Sequence, residues 1–124
     1  MRLFRTDDYI HMPNPTPGAA YKPEISTAEQ RAKNLGGIFG LVSPGTPGVY
    51  HFHRNRESII IILSGEAVET VEGKEIPVRA GDILFIPTGE KHALENRSAR
   101  DLRYLEFFTH PPVKADFVEV GLAK

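Results

Sequence analysis

The chain contains no cysteine, and this absence removes several kinds of site at once. Disulfide cross-links, thiolate metal ligands and a cysteine nucleophile are all excluded. Neither sign of charge is in clear excess, since the chain has 15 lysine and arginine residues and 16 acidic ones, for a formal net charge of −1. Nothing in this balance indicates a nucleic acid or an anionic membrane as partner, so a small molecule is the default expectation.

Long apolar runs are also missing, and none approaches the length that a bilayer-spanning helix needs. The N-terminal stretch carries Asp7 and Asp8 and lacks the apolar segment of a secretory signal. We therefore expect a cytoplasmic protein. A length of 124 residues suits a single domain with one hydrophobic core.

Two parts of the chain differ in composition. Residues 12–23 hold four prolines, which disfavour a central strand, so residues 1–35 are predicted to form an N-terminal arm that packs on the domain or on a partner subunit. Within the arm, Thr27 and Gln30 resemble a helix start and Gly36 a helix stop, which predicts one or two helical turns. Residues 36–124 are predicted to form the domain.

Short apolar segments separated by glycine, proline and polar turns occupy the domain. Their length is typical of antiparallel strands, and the turns carry residues that reverse a chain. The sequence therefore predicts an all-β fold, either a sandwich or a small antiparallel β-barrel. The predicted strands are IFGLV, GVYHFH, SIIIIL, AVETV, EIPVR, DILFIP, HALENR and LRYLEFF.

The apolar run from Ile59 to Leu63 is continuous rather than alternating, so both of its faces should be covered. One face would meet the core. For the other, a second subunit is the simplest cover in so small a chain, which predicts a homodimer. Phe85, on a later predicted strand, is expected in the core.

Three histidines are the candidate site residues. His51 and His53 are separated by one residue, so in a strand they emerge on the same face, roughly 6 to 7 Å apart at the backbone. Such a pair suits a metal ion or a solvent-facing strand equally well. His92 begins another predicted strand, and an antiparallel barrel can place it beside the pair. His11 and His110 lie in proline-flanked segments and are predicted at the surface.

Two stretches around these histidines resemble the motifs of the cupin family. Residues 81–96 match G-x5-P-x-G-x2-H-x3-N at every fixed position, and residues 45–65 resemble G-x5-H-x-H-x3,4-E-x6-G. The matching residues are Gly45, His51, His53 and Gly65 in the first motif and Gly81, Pro87, Gly89, His92 and Asn96 in the second. The resemblance implies a jelly-roll barrel that holds a divalent metal ion through the three histidines and usually one glutamate.

The first motif departs from the family pattern at its glutamate. That slot falls on Ser58, and Glu57 lies one residue earlier, which in a strand turns its side chain to the opposite face. Either Glu57 swings inward as a tentative fourth ligand, or three neutral histidines hold the metal with open positions for water. The sequence favours the second arrangement, in which the full 2+ charge faces the cavity and attracts an anionic or enolate-like ligand.

Metal identity is only loosely constrained by imidazole ligands, which suit zinc, iron, nickel and copper, with manganese common where a carboxylate joins. The last predicted strand raises a separate question about Glu106, which shares a face with Tyr104 and Phe108. Inside the barrel Glu106 would be a candidate general base. A solvated glutamate on the outer face is the interpretation that the sequence favours.

The resemblance implies two main classes of function. The first is a metal-dependent small-molecule enzyme of the dioxygenase (an oxidoreductase), decarboxylase, lyase or isomerase type. The second is a non-catalytic module that binds a metal or a small ligand, and fold alone does not decide between them. A third alternative leaves the histidines unused in a purely structural dimer. No phosphate-binding loop, nucleotide fingerprint or serine triad is present to suggest a hydrolase or a kinase.

Overall fold

The computed structural model describes residues 1–26, 31–111 and 116–121. In these residues one short helix, α1 (Thr6–Ile10), precedes eleven strands. The strands are β1 (Ala20–Tyr21), β2 (Glu24–Ser26), β3 (Leu35–Val42), β4 (His51–His53), β5 (Ser58–Ser64), β6 (Glu66–Val71), β7 (Lys74–Arg79), β8 (Ile83–Ile86), β9 (His92–Glu95), β10 (Leu102–Thr109) and β11 (Phe117–Glu119). No helix in the described part of the chain has the length and hydropathy that crossing a bilayer requires.

The strands form two antiparallel sheets. The first sheet has the order β1-β3-β10-β5-β8, with β2 also paired to β3, and the second has the order β11-β4-β9-β6-β7. The main core combines residues of both sheets: Ile38, Val42, Ile60, Ile62, Ala67, Val78, Ile86, Leu102, Tyr104 and Phe108. The predicted all-β jelly-roll barrel is confirmed, and every predicted strand overlaps an observed one.

The pairing of strands far apart in the chain is what assembles the interior. Strand β3 lies beside β10, and β4 lies beside β9, although many residues separate each pair in sequence. Between β5 and β6 the chain reverses at Gly65, which has a φ of +88°. A Cβ at this position would lie 2.5 Å from the carbonyl oxygen of Asp101, so glycine is required for both conformation and space.

The N-terminal segment packs on the outer face of the first sheet. Tyr9 and Met12 contact a second apolar cluster formed by Ile25, Phe39, Leu41 and Leu105. Arg103 stabilises this contact, because its guanidinium donates hydrogen bonds to the carbonyl oxygens of Tyr9 at 2.7 Å and Met12 at 2.8 Å. Strands β1 and β2 also arise from the proline-containing segment and pair with β3.

Helical structure differs from the sequence expectation. Helix α1 was not predicted, because its five residues lack a side-chain N-cap. Of the helix predicted from Thr27 to Gly36, residues 27–30 lie outside the described residues. Residues 31–34 form turns and bends, and β3 begins at Leu35, so no helix is present in the described part of that segment. β-pairing with β10 takes the place of the predicted helical end.

The isoleucine run alternates between a buried and an exposed face. Ile60 and Ile62 are 2% and 1% exposed in the core, whereas Ile59 remains 44% exposed. Beside it on β8, Phe85 is 57% exposed and Ile83 is 68% exposed. The prediction that Phe85 belongs to the core is wrong, because its β8 position places it on the outer face of the sheet. These three residues form an outer apolar strip at one edge of the first sheet.

Candidate metal centre

The three motif histidines converge on one wall of the barrel. His51 and His53 lie on β4, and His92 is the first residue of β9, directly opposite His51 in the antiparallel register. One ring nitrogen of each histidine lies within 4.8 Å of those of the other two. Because metal–imidazole bonds are about 2.0 to 2.1 Å long, two nitrogens on one ion lie at most about 4.2 Å apart, so the cluster is close to the size that a single ion spans.

Other motif residues hold the strands that carry the histidines. The N–H of Gly89 donates to the carbonyl oxygen of His53 at 2.8 Å and so ties the turn before β9 to β4. The buried amide of Asn96 donates to the carbonyl oxygens of Val42 at 2.8 Å and Arg100 at 2.7 Å. Asn96 therefore fixes the end of β9 against the first sheet and has a structural role.

Hydrogen bonds behind two of the rings set which nitrogen faces the cavity. Nδ1 of His51 lies 2.6 Å from the carbonyl oxygen of Val49, and Nδ1 of His92 lies 3.1 Å from Oε1 of Glu69. Because a carbonyl and a carboxylate only accept, the proton of each neutral ring sits on Nδ1. Nε2 of His92 is then an unprotonated, buried nitrogen with no hydrogen-bond partner among the described residues.

Two of the imidazoles are held in the neutral form that a metal ion requires. Burial, followed by the charge of His92, lowers the pKa of His51 from 6.5 to about 3. Burial, followed by the charge of Arg56, lowers the pKa of His53 from 6.5 to about 4. Both rings are therefore free of a competing proton at neutral pH.

The histidines face a cavity of about 350 Å³ between the two sheets. Its walls combine apolar side chains, such as Ile60 and Leu94, with the charged side chains of Lys22, Arg56 and Glu106. Glu106 thus faces the interior, and the prediction that it is solvated on the outer face is wrong. Tyr104 and Phe108, on the same face of β10, enter the core and carry Glu106 inward with them.

Glu57 lies outside this cavity. Its side chain is exposed, and its backbone N–H donates to Oγ1 of Thr109 at 3.0 Å in the segment that leads into β5. Ser58, at the motif's glutamate slot, is 3% exposed and points inward. No carboxylate of the described residues joins the three histidine nitrogens within 4.8 Å. This geometry corresponds to the three-histidine alternative.

Sequence reasoning missed three residues that shape the site. Glu69 is 2% exposed and pairs with His92, and its position between Ala67 and Val71 on one face of β6 was a usable signal of an inward acid. Phe117 stacks on His51 with ring centroids 4.5 Å apart. Lys22 reaches the cavity from the N-terminal segment. No local pattern marks these last two, because each depends on a distant strand pairing.

His11 and His110 do not contribute to the cluster. Both side chains are exposed, and neither lines the cavity, as the sequence predicted.

Together the two packed sheets and the inward histidine cluster define a jelly-roll barrel protein with a candidate metal centre. The family model described as "Cupin domain" matches residues 39–108. The chain belongs to the cupin family.

Similar proteins include an oxalate-binding protein from Thermotoga maritima, which is 40% identical over 62 residues, 50% of this chain and 51% of that protein. The tetracenomycin polyketide synthase protein TcmJ from Streptomyces glaucescens is 29% identical over 56 residues, 45% of this chain and 38% of that protein. The chain thus spans about half the length of these curated relatives or less.

Solved structures show the same fold along nearly the whole chain. The polyketide cyclase RemF from Streptomyces resistomycificus superposes with a TM-score of 0.76 at 24% identity, covering 100% of this chain and 88% of that one. A double-stranded β-helix protein from Klebsiella pneumoniae superposes with a TM-score of 0.78 at 20% identity, covering 98% and 99%. At these identities the likeness concerns the fold alone.

Proposed function

We propose that this protein binds one divalent metal ion through His51, His53 and His92 and is a metal-dependent enzyme that acts on a small anionic molecule. The observation that carries the proposal is the convergence of three ring nitrogens within 4.8 Å on the wall of the cavity between the two sheets. The buried Nε2 of His92, which has no hydrogen-bond partner in the part of the chain that the structure describes, supports it, because a buried acceptor without a partner is costly unless a ligand uses it.

Three neutral nitrogen ligands leave coordination positions for a substrate or water. A divalent ion held there would supply a Lewis acid and, without a carboxylate ligand, would keep its full 2+ charge toward the cavity. Imidazole ligands suit zinc, iron and nickel, and manganese remains a candidate. The reaction types consistent with such a centre are those of dioxygenases, decarboxylases, lyases and isomerases.

The charges around the cavity support an anionic ligand. Among the described residues that line the cavity, Lys22 and Arg56 carry positive charge and Glu106 is the one carboxylate, so these side chains leave a positive balance before any metal is added. The likeness to an oxalate-binding protein points to the same chemical class, a small carboxylate that can coordinate through oxygen. A ligand of this kind would bind the ion directly while the apolar walls exclude water.

The second candidate function is a non-catalytic module that binds the metal and a small carboxylate without turnover. The description of the Thermotoga maritima relative as a binding protein favours this alternative. Turnover separates the two, because a module would bind oxalate or a related carboxylate but release it unchanged.

Metal content is the first measurement. The protein, purified without a histidine tag, is expected to contain one equivalent of metal by elemental analysis, and both His92→Ala and His51→Ala are expected to lose it while remaining folded by circular dichroism. His110→Ala is the matched control, since that histidine is exposed and belongs neither to the cluster nor to the cavity lining. Metal retained in the first two variants would contradict the proposed ligand set.

Activity is the second measurement. The loaded protein is assayed for oxygen consumption and carbon dioxide release with a panel of phenolic, diketone and dicarboxylate compounds. Metal-dependent turnover supports the enzyme, and tight binding of carboxylates without turnover supports the module.

The tentative fourth ligand is tested by Glu57→Ala. Because the Glu57 side chain is exposed, we expect the variant to bind metal as tightly as the parent. A loss of about 10-fold or more, the size expected for a ligand or its close support, would instead make Glu57 a ligand.

We also propose that the outer apolar strip, Ile59, Ile83 and Phe85, is covered by a second copy of the chain. These residues are 44%, 68% and 57% exposed, and β8 is the last strand of its sheet among the described residues. A two-fold axis beside β8 would let two such strips and edges meet in a self-complementary interface.

Ile83→Lys is expected to convert a dimer to a monomer in analytical ultracentrifugation, whereas Ile76→Lys, at a 47% exposed site on β7, is not. A monomeric parent at micromolar concentration would refute the dimer.

A further inference from the structure

The cavity holds a carboxyl group that the metal site does not use. Glu106 lies on β10 opposite Ile60 of β5, and Ser58 of the same strand lies opposite Phe108, two residues further along β10. The side chains of Ser58 and Glu106 are therefore diagonal neighbours on the inner face, and they share a hydrogen bond. The serine hydroxyl donates, since the carboxylate can only accept.

This contact occurs at the position where the family motif has its glutamate. Ser58 occupies the motif slot and is buried, and Glu106, which lines the cavity, is hydrogen-bonded to it from the neighbouring strand. The carboxylate that the motif lacks is thus present, but it is carried by a different strand. It does not enter the group of atoms that lie within 4.8 Å of one another, which contains only the three histidines among the described residues.

We infer that Glu106, positioned by Ser58, is the proton-transfer group of this site, and that it acts on the metal-bound ligand without binding the metal. The inference rests on the proposed function. In the transfer, an O–H or C–H bond of the ligand breaks, the electron pair stays on the ligand, and the proton bonds to a carboxylate oxygen of Glu106. The reverse step returns the proton to the ligand.

The surroundings of Glu106 suit this role. Burial raises its pKa, and the Ser58 hydrogen bond, followed by the charges of His92, Arg56 and Lys22, opposes the rise. Tyr104, on the same face of β10, has its pKa raised by burial and then by the charge of Glu106, so it stays protonated and does not compete as a base. A carboxylate with a raised pKa accepts a proton more readily than an ordinary one, so the direction of the shift agrees with the position of Glu106 in the cavity.

The test uses acetohydroxamic acid, a probe that coordinates a metal through two oxygens and loses its O–H proton in doing so. Calorimetric titrations of the metal-loaded protein, repeated in buffers of different ionisation enthalpy, count the protons released to the buffer. At a pH above the pKa of Glu106, its carboxylate takes up the probe's O–H proton when the probe binds. We therefore expect the parent to release close to one proton fewer per site to the buffer than Glu106→Gln does. Glu66→Gln, an exposed substitution on β6, is the matched control and should release as few protons as the parent.

A second variant keeps the inference testable if Glu106→Gln does not fold. In the parent, lowering the pH through the pKa of Glu106 should send the probe's proton to the buffer. Ser58→Ala removes a donor to the carboxylate, so it should move this crossover to higher pH. An unchanged crossover would overturn the positioning role of Ser58.

Different negative results would refute the proposed metal site and the proton-transfer role of Glu106. A metal-free parent would refute the proposed function itself. Equal proton release from the parent and Glu106→Gln, or a loaded protein that does not bind the probe, would overturn the proton-transfer role while leaving the metal site intact. The metal affinity of Glu106→Gln should stay within about threefold of the parent, and a loss of about 10-fold or more would make Glu106 a ligand instead.

Discussion

The pairing of Glu69 with His92 makes a quantitative prediction about metal affinity. The two side chains are 2% and 4% exposed, and Oε1 of Glu69 accepts the Nδ1 proton of His92 across 3.1 Å. Because the pair is almost fully buried, solvent screens it little. Glu69 therefore decides whether Nε2 presents a lone pair to the cavity.

Glu69→Gln preserves shape but removes this control. If the new amide turns its NH2 group toward Nδ1, the ring proton moves to Nε2 and blocks the metal. If the amide turns its oxygen, the hydrogen bond survives in a weaker, uncharged form. Loss of such outer support costs about 10- to 100-fold in metal affinity. This equals about 1.4 to 2.7 kcal/mol of binding free energy.

Competition with a chromophoric chelator at neutral pH measures the affinities of parent and variant. Glu66→Gln is the control, because Glu66 is exposed on the same strand three residues earlier. Glutamine leaves no unpaired buried charge, so the metal-free variant should melt close to the parent. A folded Glu69→Gln protein that binds metal within about twofold of the parent would refute the tautomer argument, since a support residue should cost more.

Two further predictions concern the metal-free protein. The pKa values of His51 and His53 are lowered from 6.5 to about 3 and about 4, so the unfolded chain takes up protons first. Their contribution to the free energy of unfolding is therefore fully present above pH 6.5 and is lost as the pH falls from 6.5 to about 3, which urea titrations at stepped pH would show. Imidazole NMR signals that all titrate near 6.5 would contradict this. Gly40→Ala would place a Cβ 2.2 Å from Cζ of Tyr104, so we expect destabilisation of about 1 to 3 kcal/mol in denaturant titrations. Gly121→Ala, where no atom of the described residues lies within 4 Å of the added Cβ, should have little effect, and equal stability of the two variants would count against the packing of Tyr104.

The parts of the fold that were predictable from the sequence are those encoded locally. Glycines, prolines and short apolar runs mark β3 to β10 within a few residues, whereas β1, β2 and β11 were not predicted as strands. The motif histidines are equally local, because His51 and His53 share a face by strand periodicity alone and His92 follows a recognisable turn. The convergence of these three rings was therefore predictable, as the structure bears out.

The error on Glu106 has a different origin. Period-two alternation groups Tyr104, Glu106 and Phe108 on one face of β10 but does not say which face turns inward. The apolar neighbours Tyr104 and Phe108 favoured the interior, whereas the general rarity of buried carboxylates favoured solvent. Packing decided the matter, because Phe108 is 2% exposed and Tyr104 is 3% exposed in the core. The side chain at position 106 lies on the same face as these two and therefore turns inward as well.

Residues outside the family segment complete the cavity, and this distribution bears on its specificity. The matched segment, residues 39–108, supplies the histidines, Arg56 and Glu106, whereas Lys22 comes from the segment before it and Phe117 from β11 after it. Phe117 covers one face of His51, and Lys22 adds a cation to the cavity wall. The three candidate metal ligands thus lie inside the segment that the family model matches, whereas two side chains of the cavity wall lie outside it. A substitution at Lys22 should accordingly alter ligand preference before it alters metal affinity.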